Sequence, residues 1–217
     1  MRIGVAIPCY IKHIPHCRRL LDVLERQSRR PDQVVISCSS STPNDFMIGS
    51  YSFPVKLLIT EEKLNAAMNR NRIIPHMDTD IVCFFDADDD MHPQRLEVIG
   101  HIFESQKTDL AVHSYFTGEE CVIEYPRIQP CNFIALRNVL EPCYSGCLKY
   151  DYVSRIHHSQ VSVSREVLEK VNFPEAIEFQ AREDSIFCNM VTRLPGVQTA
   201  YIPICLSKYV ISGSNNI

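Results

Sequence analysis

Two hydrophobic periods take turns along this chain. Apolar runs of strand length occupy Arg2 to Ile7, Gln33 to Ser37, Val55 to Thr60 and Asp80 to Phe85. Between them apolar residues recur at helical spacing. Cys17, Leu20, Leu21 and Leu24 mark one face of a helix predicted from about Pro15 to Ser28, and Glu61 to Ile74 reads as a second helix. Pro93 opens a third, with Leu96, Ile99 and Phe103 on its apolar side. The order βαβ, β, αβα predicts an α/β fold with a mostly parallel sheet flanked by helices.

The second half is less regular. Leu110 to Tyr115 and Cys121 to Tyr125 read as strands, whereas residues 126–158 hold no clear period and several turn residues. A segment that long within a folded domain is expected to contain short elements and to shape a binding site. Gln160 to Ser164 then reads as a strand, Arg165 to Val171 as a short helix, Glu183 to Leu194 as a helix and Gln198 to Ile204 as a last strand. No internal repeat, low-complexity segment or linker interrupts the pattern.

The chemistry concentrates where the apolar run Ile81-Val82-Cys83-Phe84-Phe85 gives way to Asp86-Ala87-Asp88-Asp89. The end of a buried strand is where α/β proteins place metals and phosphates. Crowded carboxylates repel one another, and a hard divalent cation relieves that repulsion. A calcium loop accounts for part of the spacing, with Asp86, Asp88, Asp90 and Glu97 at its first, third, fifth and twelfth positions. Met91 stands where such a loop needs glycine, and a strand rather than a helix precedes it. No two of the seven glycines make a dinucleotide fingerprint or a P-loop, so a phosphate bound here must be held by metal and side chains.

Composition narrows the class. A length of 217 residues accommodates one sizeable core, and a formal net charge of −4 gives no electrostatic case for nucleic acid. Arg18-Arg19 and Arg29-Arg30 read as a solvated face. The apolar start at Met1 to Pro8 is too short for a signal peptide, and nothing approaches membrane-spanning length, which predicts a soluble, cytoplasmic protein. Ten cysteines scattered through apolar segments read as reduced, buried small hydrophobes. Cys131, Cys143 and Cys147 with His157 and His158 loosely permit zinc but lack a Cys-x-x-Cys knuckle.

Four features in order make the sequence resemble the family 2 glycosyltransferases, over nearly its whole length. They are Ile7-Pro8-Cys9-Tyr10 at the end of the first strand, Arg70-Asn71 on the helix before the acidic turn, Asp86-Ala87-Asp88-Asp89 as the DxD element, and Glu183-Asp184 opening a late helix. Within the family the chain is most similar to glycosyltransferase domains encoded by large DNA viruses of chlorella algae. The resemblance implies a GT-A fold: a Rossmann-like nucleotide-binding half, residues 1–105, and a smaller acceptor-binding and catalytic-base half, residues 106–217. It implies a single inverting domain that transfers a sugar from a nucleoside diphosphate donor, expected to be UDP-linked, to a glycan or glycoprotein. The early end predicts that the chain is one domain of a longer polypeptide.

By the same resemblance Pro8, Cys9, Tyr10, Ser37, Ser39, Arg70, Asn71, Asp86 and Ala87 face the donor, and Asp88 with Asp86 holds Mn²⁺ or Mg²⁺. Asp86 would meet the ribose or a metal-bound water. Asp184 is implied as the base, with Glu183 beside it and Arg182, His157 and His158 on the acceptor side. Without the resemblance, Asp184 also reads as a helix N-terminal carboxylate, and Arg70 reads equally as a surface residue.

The pattern also departs from the family. Ser37-Cys38-Ser39 replaces the usual uracil-reading aspartates, and Tyr209-Val210-Ile211-Ser212 lies where a metal-binding histidine is common. Absence of tryptophan removes the Gln-x-x-Arg-Trp element of processive synthases, which predicts single-sugar addition. Rival readings are a sugar-nucleotidyltransferase, a HAD-like phosphohydrolase and a catalytically silent nucleotide-sugar or carbohydrate-binding domain. The first lacks its glycine-rich loop, since Tyr10-Ile11-Lys12-His13 follows strand one, and the second lacks an Asp on that strand.

Overall fold

A computed structural model describes residues 1–118, 124–142, 148–149, 156 and 158–210. The predicted strand at Cys121 to Tyr125 falls mostly outside them, as do Cys143, Cys147, His157 and Ser212. The first half runs β1 (Ile3–Tyr10), α1 (Ile14–Glu25), β2 (Gln33–Ser39), β3 (Val55–Ile59), α2 (Ala66–Ile73), β4 (Ile81–Phe84), β5 (Asp90–Met91) and α3 (Arg95–Gln106). The second runs β6 (Leu110–Gly118), β7 (Leu136–Arg137), β8 (Glu141–Pro142), β9 (Leu148–Lys149), β10 (Val161–Ser164), α4 (Arg165–Leu168), α5 (Glu183–Thr192) and β11 (Thr199–Val210).

One sheet gathers most of these strands in the order β3-β2-β1-β4-β10-β6-β11-β5, with β7 added along β11. β3, β2, β1 and β4 are mutually parallel, β10 runs antiparallel to both of its neighbours, and β6 and β11 are parallel again. The mostly parallel sheet expected from the alternating pattern is therefore observed. Alternation along β1 sends Ile3, Val5, Ile7 and Cys9 to a core shared with α1 and α3 and Ala6 to one shared with α2 and α5. Gly4 on that second face is required by crowding, since a Cβ there would stand 2.5 Å from Thr79 Oγ1.

Several element boundaries differ from the sequence reading, and three of them have a visible cause. The helix predicted from Glu61 starts at Ala66, because the Asn65 side chain accepts from the Met68 N–H at 2.9 Å and caps it, while the backbone before it still bonds to the loop after β2. β2 continues to Ser39 because Ser37, Cys38 and Ser39 pair with Pro8, Cys9 and Tyr10. β11 runs on to Val210 rather than stopping at Ile204, absorbing Pro203, which has no N–H to donate, in an irregular register between Ile202 and Cys205. Arg19 is no merely solvated residue either, for its guanidinium lies 3.3 Å from Asp90.

The strand order reverses at β1. The chain leaves β1 for β2 on one side, and β4 takes the other, so a crevice opens at the carboxyl ends of β1 and β4. This is the position where open α/β sheets bind ligands.

Candidate active site

β4 is buried along its whole length, and its end delivers Asp86 to Asp89 to that crevice. Alternation then separates the four residues. Ala87 packs in the core, whereas Asp86 and Asp88 keep about a fifth of their side chains exposed. Asp89 turns inward and is 4 % exposed; its carboxylate accepts from the Ser159 hydroxyl and from the Val210 N–H at 3.1 Å. The same Ser159 oxygen accepts from the Asp86 N–H at 3.1 Å. Ser159 thus pins both ends of the acidic turn. Burial, reinforced by the charge of Asp86, pushes the carboxyls of Asp88 and Asp89 above the usual range, and that of Asp89 well above it.

Arg70 is 1 % exposed, so it is no surface arginine. Its Nη2 donates to Asp86 Oδ1 at 2.7 Å and its Nη1 to Glu183 Oε1 at 3.3 Å. One rigid fork therefore ties the turn after β4 to the first residue of α5, reaching Glu183 from 113 residues away in sequence. The guanidinium also lies 5.5 Å from the Phe173 ring, which is stacked on Phe187 at 4.1 Å and meets Phe84 edge-on at 4.9 Å.

Asp184 follows Glu183 in the first turn of α5 and is 4 % exposed; its Oδ1 accepts from the Ser185 N–H at 2.6 Å. Carboxylates here interact favourably with the helix N-terminus. The approach to α5 is strained, since Ala181 has φ +65°, a left-handed conformation that disfavours a side chain. Arg182 caps the helix start, is exposed and leans on the Glu178 carbonyl.

The other expected donor residues take different positions. Tyr10 is partly exposed at the end of β1, while Pro8 and Cys9 are buried. Ser37 and Ser39 are fully buried: the Ser37 hydroxyl donates to Asn69 Oδ1 at 2.8 Å, the Ser39 hydroxyl reaches the Cys9 carbonyl at 3.4 Å, and Asn69 Nδ2 donates back to Ser39 at 3.1 Å. They tie β1, β2 and α2 together and present no open hydroxyl to a base. Asn71 likewise works as scaffold, exchanging hydrogen bonds with the Phe173 backbone in both directions at 2.8 Å and donating to Glu175. His158 is described only as the first residue of the 3-10 turn His158–Gln160.

Sequence reasoning missed Ser159 and the pair behind it. Arg95 and His113 are almost fully buried, and the Arg95 Nε donates to His113 Nε2 at 3.1 Å. Arg95 Nη2 also reaches the carbonyls of Phe84 and Ser159 at 3.2 and 3.0 Å. It holds the end of β4 against the segment that carries Ser159. A buried arginine has no distinct signature in a helix that opens with polar residues, and its partners lie far away in sequence.

Among the described residues no group of three or more His, Cys, Asp and Glu side chains is gathered as a metal site. Asp86 and Asp88 nevertheless present hard oxygen donors in one crevice, a set that fits a divalent cation whose remaining positions are filled by phosphate and water. Free thiols at Cys9, Cys17, Cys38, Cys83 and Cys188 are buried as expected, while Cys131 is exposed. No helix among the described residues is long and apolar enough to cross a membrane.

A sequence profile described as Glycosyl transferase family 2 matches residues 4–170. A search of curated protein sequences finds no match. Among solved structures, S. aureus TarS residues 1–349 in complex with UDP-GlcNAc superposes with a TM-score of 0.69 at 16 % identity, covering 98 % of this chain and 59 % of that one. The mannosyltransferase PcManGT from Pyrobaculum calidifontis, in complex with GDP-Man and Mn²⁺, gives a TM-score of 0.64 at 17 % identity, covering 98 % and 58 %. At such identities the likeness concerns the GT-A fold, and the chain spans about three fifths of the length of these proteins. With the family profile matched over most of its residues, the chain belongs to glycosyltransferase family 2.

Proposed function

We propose that this chain is an inverting, metal-dependent, non-processive glycosyltransferase that moves one sugar from a UDP-linked donor to a hydroxyl of a glycan or glycoprotein. The observation that carries the reading is the buried Arg70 fork, which sets the acidic turn and the Glu183-Asp184 pair at a fixed separation across one crevice. Transfer with inversion needs groups on opposite faces of the sugar, one side for the leaving diphosphate and the other for the incoming hydroxyl. Nucleotide sugars in the TarS and PcManGT complexes support a donor of that class, and the Mn²⁺ of PcManGT supports the cation.

Asp88 and Asp86 would hold Mn²⁺ or Mg²⁺, which supplies positive charge to the departing diphosphate. Tyr10 would lie against the nucleobase, with Asn69, Ser37 and Ser39 supporting that wall from behind. Glu183 is engaged by Arg70, which leaves Asp184 as the group to take the acceptor proton, a contribution of about 10² to 10⁴-fold. Arg182, with His157 and His158, would meet the acceptor. Residues 1–105 would form the donor half and 106–217 the acceptor half, and the resemblance to viral enzymes supports work in a host cytoplasm.

Release of nucleoside diphosphate from a panel of sugar nucleotides tests the reading. Turnover should require a divalent cation, and Asp88→Ala should abolish it while the fold persists. Full activity of Asp88→Ala in EDTA would remove the metal from the mechanism. Donor binding without any release would instead favour a silent binding domain.

A further inference from the structure

Two segments meet at the switch point of the sheet, the acidic turn after β4 and the 3-10 turn Ile11–His13 after β1. His13 ends the second and caps α1. Its Nδ1 lies 4.0 Å from Asp88 Oδ2, and each side chain is 19 % exposed. Tyr10 and His16 pack edge-on against the imidazole at 6.3 and 6.1 Å. Among the described residues the His13 side chain makes no hydrogen bond, and it is the cationic partner within 4.0 Å of the Asp88 carboxylate, with His16 acting on it from farther away. Asp86 has Arg70 and Asp89 has Ser159 and Val210, so the Asp88–His13 pair is the least compensated part of the turn.

We propose that His13 is a nitrogen ligand of the cation bound by Asp88, completing from the β1 side a shell that the acidic turn begins. The proposal rests on the metal-dependent reading above. A neutral imidazole offers one lone pair in its ring plane, and rotation of either mostly buried side chain brings nitrogen and oxygen to one ion. Through Tyr10 and His13, β1 would also couple the nucleobase wall to the cation, so that nucleotide and metal favour each other's binding. An imidazole ligand carries a selectivity. Mg²⁺ and Ca²⁺ prefer all-oxygen shells, whereas transition-metal ions accept nitrogen, so His13 shifts the site toward Mn²⁺ over Mg²⁺.

The test is pulsed electron paramagnetic resonance of Mn²⁺ bound to the whole chain, with Mn²⁺ alone and with Mn²⁺ plus UDP. Wild-type protein should show a directly bound ¹⁴N, replaced by ¹⁵N when only histidine is labelled. His13→Gln should lose that nitrogen and bind Mn²⁺ about tenfold more weakly, a loss within the range known for weakened metal shells. His16→Gln should keep it. Mg²⁺ affinity should fall less than Mn²⁺ affinity in His13→Gln, narrowing the preference between the two ions. Mn²⁺ binding that depends on Asp88 but shows no histidine nitrogen, or keeps it in His13→Gln, overturns the proposal and leaves the transferase reading standing. Absence of Asp88-dependent Mn²⁺ binding even with UDP overturns both. The isotope measurement uses wild-type protein, so a poorly folding variant does not blunt it.

Discussion

Asp86 and Asp88 are the same residue type two positions apart, yet the fold treats them differently. Asp86 is bound by a guanidinium that is itself almost fully buried and that reaches Glu183 with its other arm. Asp88 has no guanidinium but the imidazoles of His13, at 4.0 Å, and of His16, farther off, and burial with the nearby charge of Asp86 pushes its carboxyl above the usual range. Removing charges from water costs several kcal/mol per ion unless geometry and hydrogen bonds compensate. The chain compensates more fully where two distant segments must hold one separation. It compensates less at the carboxylate proposed above to hold the cation.

Arg70→Met breaks that contrast with the largest effect. Methionine fills similar space, but Asp86 and Glu183 would then face each other in a mostly buried site without their shared guanidinium. Loss of one partner from a buried pair costs about 3 to 5 kcal/mol, and a urea denaturation midpoint measures it. Turnover should fall with it as the acidic turn and α5 lose their common anchor. Arg70→Lys keeps the charge but not the fork, and should recover part of the stability. Wild-type stability in Arg70→Met would mean that the Phe84–Phe173–Phe187 stack alone positions α5.

Asp184→Asn sharpens the contrast from the clamped side. Asparagine preserves volume and can still accept from the Ser185 N–H, so the helix start should survive. It cannot take a proton. The turnover number should fall by about 10² to 10⁴ while donor affinity, read by calorimetry, stays near wild type. Collapse of donor affinity with turnover preserved would make Asp184 a donor ligand and move the base elsewhere.

The parts of the site that lie close in sequence were legible and the parts joined through the fold were not. Five apolar residues followed by carboxylates announce β4 and its acidic turn, because a buried strand can end only where its polar groups meet solvent. Local order around Glu61 misled, since good helix formers precede Asn65, but the cap and the pairing of the chain to β2 decide the boundary. Ser37 and Ser39 stand where the sequence reads the strand as ending; it continues by two residues, and pairing with β1 buries both hydroxyls. Ser159 joins Asp86 and Asp89 from 73 and 70 residues away, and His13 meets Asp88 only because β1 and β4 are neighbours at the switch point. Neither contact leaves a trace in spacing.

A common foundation lies beneath both halves, and it yields the smallest effect. His113 is fully buried and accepts from Arg95 through Nε2, while its Nδ1 lies 2.8 Å from the Ser114 carbonyl. Those partners define a neutral imidazole that is protonated on Nδ1. Burial first, and the Arg95 charge second, hold its pKa well below the ordinary value. The unfolded chain takes up this proton below about pH 6.5 and the folded chain does not, so acidification favours unfolding by up to about 1.4 kcal/mol per pH unit until the folded value is reached. Asp88 and Asp89 act in the opposite sense: their raised values favour the fold in acid, and that contribution is lost as pH rises through them. Comparison with His113→Gln separates the two, because glutamine can accept from Arg95 but does not titrate. Between pH 7 and pH 5 the wild type should lose about 1 to 2 kcal/mol more than the variant in denaturant titrations. Equal pH slopes would mean that Arg95 and His113 share a proton arrangement other than the one this geometry defines.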